Sequence, residues 1–178
     1  EITLLGQTVN HYEFDHGAAI AVNGVQQPQI GRAVGRASGP AVVTATSHRI
    51  TTFADLLARI HEEIPDLQRL RFVTSYPRDF GDDVLQIMKQ CPRICRYLHL
   101  PVQSGSNRML RLMNRDYTVA SYLELLGRVR EALPDCQVAT DIICGFPGET
   151  EKDHIATADL LRAARCKNAF IFKYSPRP

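Results

Sequence analysis

The stretch Gln137–Arg165, QVATDIICGFPGETEKDHIATADLLRAAR, decides the fold. Its first part, Gln137 to Gly145, is a nearly unbroken apolar run of strand length, as expected of a strand buried on both faces. The Gly145-Phe146-Pro147-Gly148 corner breaks it. Glu149 to Arg165 then reads as a helix with acids near its start and Arg162 and Arg165 near its end, which matches the helix macrodipole. A strand, a tight corner and a helix in this order make up most of a βαβ unit. The pattern repeats along the chain. Apolar runs at Glu1 to Gln7, Leu70 to Ser75, Arg96 to Gln103 and Asn168 to Tyr174 read as further buried strands. Phe53, Leu56, Leu57, Ile60 and Ile64 recur at amphipathic-helix spacing, with Thr51 or Thr52 and Asp55 supplying capping chemistry and Pro65 a stop. Shorter helices are predicted over Asp82 to Cys91 and Asn107 to Met113, and a long one over Thr118 to Leu133, ended by Pro134.

Regular alternation with near-continuous apolar strands implies parallel pairing and right-handed crossovers. That leaves an open doubly wound sheet or part of a β/α barrel, and in both the chemistry gathers at the strand C-termini. The unusual polar residues fall there: Gln7 and Asn10 after the first strand, Ser75 after the second, Gln103 to Ser106 after the third, Asp141 to Glu149 along and beyond the fourth, Tyr174 to Arg177 after the last. Five such strand ends favour a barrel mouth. The exception is His11 to Thr51, which lacks helical periodicity and exceeds an ordinary βα loop. Alternation around Asn23-Gly24 predicts a small hairpin within it, and Arg32, Arg36, His48 and Arg49 make its second half basic.

The 178 residues carry 44% hydrophobic and 22% charged side chains, enough for one folded core, so disorder, coiled coil and collagen are excluded. No apolar run approaches the roughly 18 to 20 residues of a membrane span, and no secretion signal opens the chain. A formal charge of +2 does not by itself imply nucleic-acid binding. Five cysteines at irregular spacing fit reduced thiols in a cytoplasmic setting better than a disulfide framework. The chain opens on Glu1 and stops after an apolar run, and we expect it to be a piece of a longer protein.

Three motifs carry chemistry. Cys91-Pro92-Arg93-Ile94-Cys95 invites a metal reading, but Leu98 stands where a third thiolate would complete a C-x3-C-x2-C triplet, so these read as ordinary thiols. His99-Leu100-Pro101-Val102-Gln103-Ser104-Gly105-Ser106 reads equally as a strand end presenting polar groups to a ligand or as a helix N-cap. Asp141 to Thr150 sets an acid within an apolar strand, where it needs a partner; a capping carboxylate and a first-turn Glu149 are the alternative. No Gly-Lys-Ser or Gly-Lys-Thr follows, which excludes a P-loop.

Together these segments resemble the radical SAM methylthiotransferases, specifically the tRNA enzymes that form 2-methylthio-N6-dimethylallyladenosine. The likeness rests on Leu4 to Asn10, Phe53 to Leu57, Arg71 to Pro77, His99 to Ser106, Leu112 to Arg115 with Tyr117 and Thr118, Asp141 to Thr150, and Tyr174 to Arg177. It covers nearly all but residues 15–50. The resemblance implies a partial parallel β/α barrel of TIM-barrel type lacking its first βα unit, with the long insertion at about residues 11–51. The cluster-binding loop, an N-terminal cluster domain and a C-terminal RNA-binding domain are expected outside these 178 residues, which alone should be inert.

The resemblance further implies S-adenosyl-L-methionine and two [4Fe-4S] clusters in the parent enzyme. A 5′-deoxyadenosyl radical would take the C2 hydrogen of the modified adenosine beside the anticodon before sulfur adds, with the cofactors carrying the difficult chemistry. The tRNA anticodon loop and an electron donor such as flavodoxin or ferredoxin are the implied partners, and no membrane is involved. Carried over by position, the expected cofactor-binding residues are Gln7, Asn10, Ser75, Gln103, Ser104, Arg115, Asp141, Gly145, Glu149, Tyr174, Ser175 and Arg177; no metal ligand and no catalytic residue is assigned. Arg115 suits the SAM carboxylate, since guanidinium pairs bidentately with carboxylate. Thr74 to Phe80 and Cys91 to Leu98 favour the tRNA branch over the related enzymes acting on an aspartate of a ribosomal protein. A non-catalytic barrel that binds RNA or a protein partner is the alternative of another class. A barrel enzyme for a phosphorylated metabolite lacks its phosphate loop.

Overall fold

The computed structural model describes residues 1–6, 8–15, 50–73 and 75–176, so Gln7, Thr74 and Arg177, together with the hairpin expected at Asn23-Gly24 and the basic residues around it, lie outside the described residues. Two compact units are distinguished. Residues 13–51 form the smaller, of which strands β2 (Glu13–Asp15) and β3 (Ile50–Thr52) are described, paired with each other. The larger unit holds the remaining elements in the order β1 (Ile2–Leu5), α1 (Phe53–Glu63), β4 (Leu70–Val73), α2 (Asp82–Gln90), β5 (Tyr97–His99), α3 (Asn107–Leu112), α4 (Val119–Ala132), β6 (Gln137–Cys144), α5 (Glu151–Ala164) and β7 (Asn168–Lys173).

Pairing is parallel, as the alternation predicts. Strand β1 runs beside β4 from Ile2↔Leu70 to Leu5↔Val73, and β5, β6 and β7 run side by side. Backbone bonds Leu70 N to Arg93 O (2.8 Å), Cys95 N to Leu70 O (2.9 Å) and Ser75 N to His99 O (3.1 Å) join the two groups into the spatial order β1-β4-β5-β6-β7. The C-termini of these five strands therefore lie on one edge. The result is part of a parallel β/α barrel that does not close among the described residues. No helix of these residues is long and apolar enough to cross a membrane.

The strand from Arg96 to Gln103 is regular only over Tyr97–His99. Beyond it Pro101 has no N–H, and the Thr140 hydroxyl substitutes for a ladder rung by accepting from Val102 N and donating to Leu100 O, both at 3.0 Å. Pairing resumes at Gln103↔Ile142. The last run also departs from its reading as a buried strand, because all six residues of β7 are exposed; it pairs with β6 along one edge only.

Alternate strand positions face the helices. Leu98, Val138 and Ile142 join Leu125, Val129 and Leu160 in one hydrophobic core. The start of α1 follows the capping chemistry read from sequence, Thr52 and Asp55 forming a reciprocal box, and the structure adds two boxes of the same kind, Thr118 with Ser121 at α4 and Thr150 with Asp153 at α5.

The Asp153 carboxylate, 8% exposed, does more than cap α5. It accepts from Thr150 N (3.0 Å), Thr150 Oγ1 (2.5 Å), Ser106 Oγ (2.6 Å) and the Arg108 guanidinium, which also donates to Gly148 O at 2.7 Å. The loop after β5 is thereby clamped to the start of α5. Beside the clamp, Thr157 Oγ1 accepts from Gly105 N (2.9 Å) and meets Ser104 Oγ at 3.3 Å. A Cβ on Gly105 would lie 2.4 Å from Ala156 O and 2.5 Å from Thr157 Cα, so only glycine permits this approach.

Two outcomes are expected. Gly105→Ala destabilises by about 1–3 kcal/mol, read from the denaturant midpoint, because helix backbone rather than a flexible side chain must give way. The Arg108 guanidinium, then the Ser106 and Thr150 hydroxyls, hold the Asp153 carboxyl far below the usual carboxylate range. A lowered folded-state value means that its stabilisation is complete above the unfolded carboxylate pKa of about 3.9 and fades as pH falls below it. Asp153→Asn therefore lowers stability at neutral pH and flattens the acid limb of the stability–pH profile.

Candidate active-site edge of the sheet

The polar residues expected to meet a ligand lie along the C-terminal edge of the sheet, and the structure separates those tied into the frame from those left open. Ser75 follows β4 and is 1% exposed; its N–H is held by His99 O, while its Oγ is buried without a partner among the described residues. Gln103 is 8% exposed and adopts φ 73°, a left-handed conformation that costs a non-glycine residue about 1–3 kcal/mol. Its backbone is fixed by bonds to Asp141 O (2.8 Å) and from Ile143 N (2.9 Å). Ser104 is fully buried, and its hydroxyl is occupied by Thr157 and Ser106 N.

Arg115 is placed by the end of α3. Asn114 takes φ 55°, its N–H reaching Arg111 O (3.1 Å) while Arg115 N reaches Leu110 O (2.8 Å), a Schellman arrangement. The Arg115 Nε is buried without a partner among the described residues. After β6, Gly145 at φ 73° donates its N–H to Glu149 Oε2, while Glu149 Oε1 is buried without a partner among the described residues. Tyr174 N returns to Cys144 O at 2.8 Å, and its ring meets Phe146 edge-on at 5.0 Å. Ser175 is exposed.

Asp141 finds the partner its position demands. His99 Nε2 lies 2.8 Å from its Oδ1, with the side chains 14% and 22% exposed, and Phe170 stands edge-on to the imidazole at 6.1 Å. Asn10 is likewise committed: its Oδ1 accepts from Tyr76 N (2.8 Å) and its Nδ2 donates to Tyr76 O (3.2 Å). Around Tyr76 the 3₁₀ turn at Pro77–Asp79 is braced by Asp79 bonds to His11 (2.6 Å) and Arg78 (2.7 Å), and Arg78 reaches Asp116 at 3.0 Å.

Backbone bonds and the His99–Asp141 side-chain bond thus bring Ser75, His99, Asp141 and Gln103 into one group, and the Gly145–Glu149 bond with the return of Tyr174 to Cys144 makes a neighbouring one; among the described residues Arg115 reaches neither through a hydrogen bond. The sequence reading missed Asp153, Thr157, Arg108 and Tyr76. The Thr150-x-x-Asp153 spacing was a readable capping signal. Nothing local announced that Ser106 and Arg108 would share that carboxylate.

Burial raises the Cys91, Cys144 and Cys166 thiols and pushes Cys136 up to about 12, which disfavours their thiolate forms. Among the described residues no three potential metal ligands converge.

A family profile for the radical SAM superfamily matches residues 28–161. The chain is 41% identical over 177 residues to a tRNA-2-methylthio-N(6)-dimethylallyladenosine synthase of Acetivibrio thermocellus, covering 99% of this chain and 30% of the relative. It is 43% identical over its whole length to the enzyme of that name from Mycobacterium sp. (strain MCS), covering 31% of it. The chain therefore spans about a third of the length of the curated relatives it matches. Among solved structures, coproporphyrinogen III oxidase from Escherichia coli, a radical SAM enzyme, superposes with a TM-score of 0.58 at 20% identity over 70% of this chain and 29% of that one, a likeness of fold. With the parallel β/α arrangement and a profile match across most of its length, the chain belongs to the radical SAM superfamily.

Proposed function

We propose that these residues form the central part of a longer, cytoplasmic tRNA methylthiotransferase, and that the C-terminal edge of the sheet binds S-adenosyl-L-methionine. One observation carries this reading. Ser75 Oγ, Arg115 Nε and Glu149 Oε1, in the segments that follow β4, α3 and β6, are buried without a partner among the described residues; His61 Nε2 on α1 and Arg71 Nε share that state, and Arg71 Nε still pairs with Glu1 at 2.9 Å. Leaving such a group unsatisfied costs about 1–3 kcal/mol each, so a polar ligand that supplies the missing partners is favoured.

The residues fit S-adenosylmethionine. A guanidinium suits its carboxylate, a carboxylate and a buried hydroxyl suit ribose hydroxyls, and the Gln103 amide offers both donor and acceptor. Bound there, the cofactor supplies the adenosyl and methyl groups. Gly145 and Glu149, joined by a hydrogen bond, would flank the cofactor after β6, with Tyr174 beside Phe146 next to them. Gln7, Asn10, Ser104, Ser175 and Arg177 complete the set assigned by resemblance, with Asn10 and Ser104 acting through the loops they hold. An iron–sulfur cluster does not fit this chain's cysteines, so its ligands belong to other parts of the parent protein. The tRNA substrate is supported by the names of relatives about 40% identical throughout. A flavodoxin or ferredoxin as electron donor follows from the same reading.

The longer gene product, reconstituted anaerobically, is expected to cleave S-adenosylmethionine to 5′-deoxyadenosine and to add a methylthio group to N6-dimethylallyladenosine in tRNA. The isolated 178 residues should do neither. Modification of a ribosomal-protein aspartate instead would select the sister activity, and RNA binding with no cleavage would leave a non-catalytic barrel. Within the longer protein, Ser75→Ala and Arg115→Ala are each expected to weaken S-adenosylmethionine binding about tenfold, measured by equilibrium dialysis.

A further inference from the structure

We infer that His99 and Asp141 are a positioning pair that sets the two site residues Ser75 and Gln103 at once; the inference rests on the S-adenosylmethionine reading of that edge. The side chains meet across adjacent strands on the sheet face away from the helices, Nε2 to Oδ1 at 2.8 Å. The same two residues hold the site through their backbones. His99 O accepts the Ser75 N–H at 3.1 Å, and Asp141 O accepts the Gln103 N–H at 2.8 Å.

The location explains why a side-chain tie is needed there. Regular β5–β6 pairing ends at His99↔Ala139 and does not resume until Gln103↔Ile142. Across that gap Pro101 contributes no N–H, and Gln103 must be kept in its left-handed conformation. A slip of β5 against β6 would move both carbonyls and release that conformation. The imidazole–carboxylate bond spans the gap on the open face, as the Thr140 hydroxyl does on the helix side. Phe170, on β7, packs edge-on against the imidazole at 6.1 Å and sits at the rung paired with Asp141, so a third strand helps to fix the ring.

The pair is thus connected to the site on both sides. Its carboxylate is oriented toward His99, so Asp141 acts on the ligand through Gln103.

The test uses the longer, cofactor-loaded protein carrying His99→Gln, Asp141→Asn, the double substitution and Asp141→Glu, with the dissociation constant for S-adenosylmethionine and the thermal midpoint read in parallel. Each single change is expected to weaken binding about tenfold, and the double change no more than either single one, because both remove the same tie. Asp141→Glu, which keeps a carboxylate within reach, should recover part of the loss even if the midpoint stays lowered. Lowered midpoints with unchanged binding, or losses that add in the double variant, overturn the pair while leaving the site reading standing. No binding by the unsubstituted protein overturns both.

Discussion

The Asp153 carboxylate is the interaction on which the candidate site depends. Parallel βα units pack through their cores, but their loops are free to differ, and a site assembled from several loops needs something to fix each against the next. Here a single side chain caps its own helix and also receives a hydroxyl and a guanidinium from the loop after the neighbouring strand. A buried carboxylate with so many donors is stabilised in its charged form, and it gains its partners only when α3 and α5 start in the right places. Gly105 and Thr157 extend the contact by bringing helix backbone within reach of loop backbone. The clamp fixes the loop between Gln103 and the start of α3, while the backbone of Gln103 itself is held by Asp141 and Ile143.

Around the clamp the frame is largely satisfied, which gives meaning to the atoms that are not. Buried tyrosines illustrate the rule: Tyr122 donates to Leu100 O at 3.0 Å and Tyr117 to Pro101 O at 3.1 Å, with burial raising both phenols. Even the irregular stretch after β5 has its N–H groups placed, by a threonine hydroxyl where the strand cannot do so. Against that background, the groups on Ser75, Arg115 and Glu149 that lack partners among the described residues support the proposed ligand site.

Much of this was legible in the sequence for physical reasons. Hydrophobic period and capping residues are local signals, so β6 with α5, and α1 with its Thr52 cap, follow from neighbours within a few positions. The strand ends carrying Ser75, Gln103 and Gly145 were legible because polar residues rarely interrupt apolar runs without cause. Less legible were pairings across sequence. Asp141 announced the need for a partner but not that His99 would be it, and Asn10 looked like a ligand group until its amide was found on the Tyr76 backbone. Thr140 gave no sign that it would replace a ladder rung, because that depends on where Pro101 falls in the neighbouring strand.

The pair of hydrogen bonds between the Asn10 amide and the Tyr76 backbone has a thermodynamic corollary. It joins the loop after β1 to the loop after β4 next to Ser75, so neither loop explores its conformations independently of the other. A ligand that orders one has already met part of the entropic cost of ordering the second, and a second ligand contacting the other loop binds to a partly stiffened protein. Two binding events at separate loops would then reinforce each other without any change in average structure.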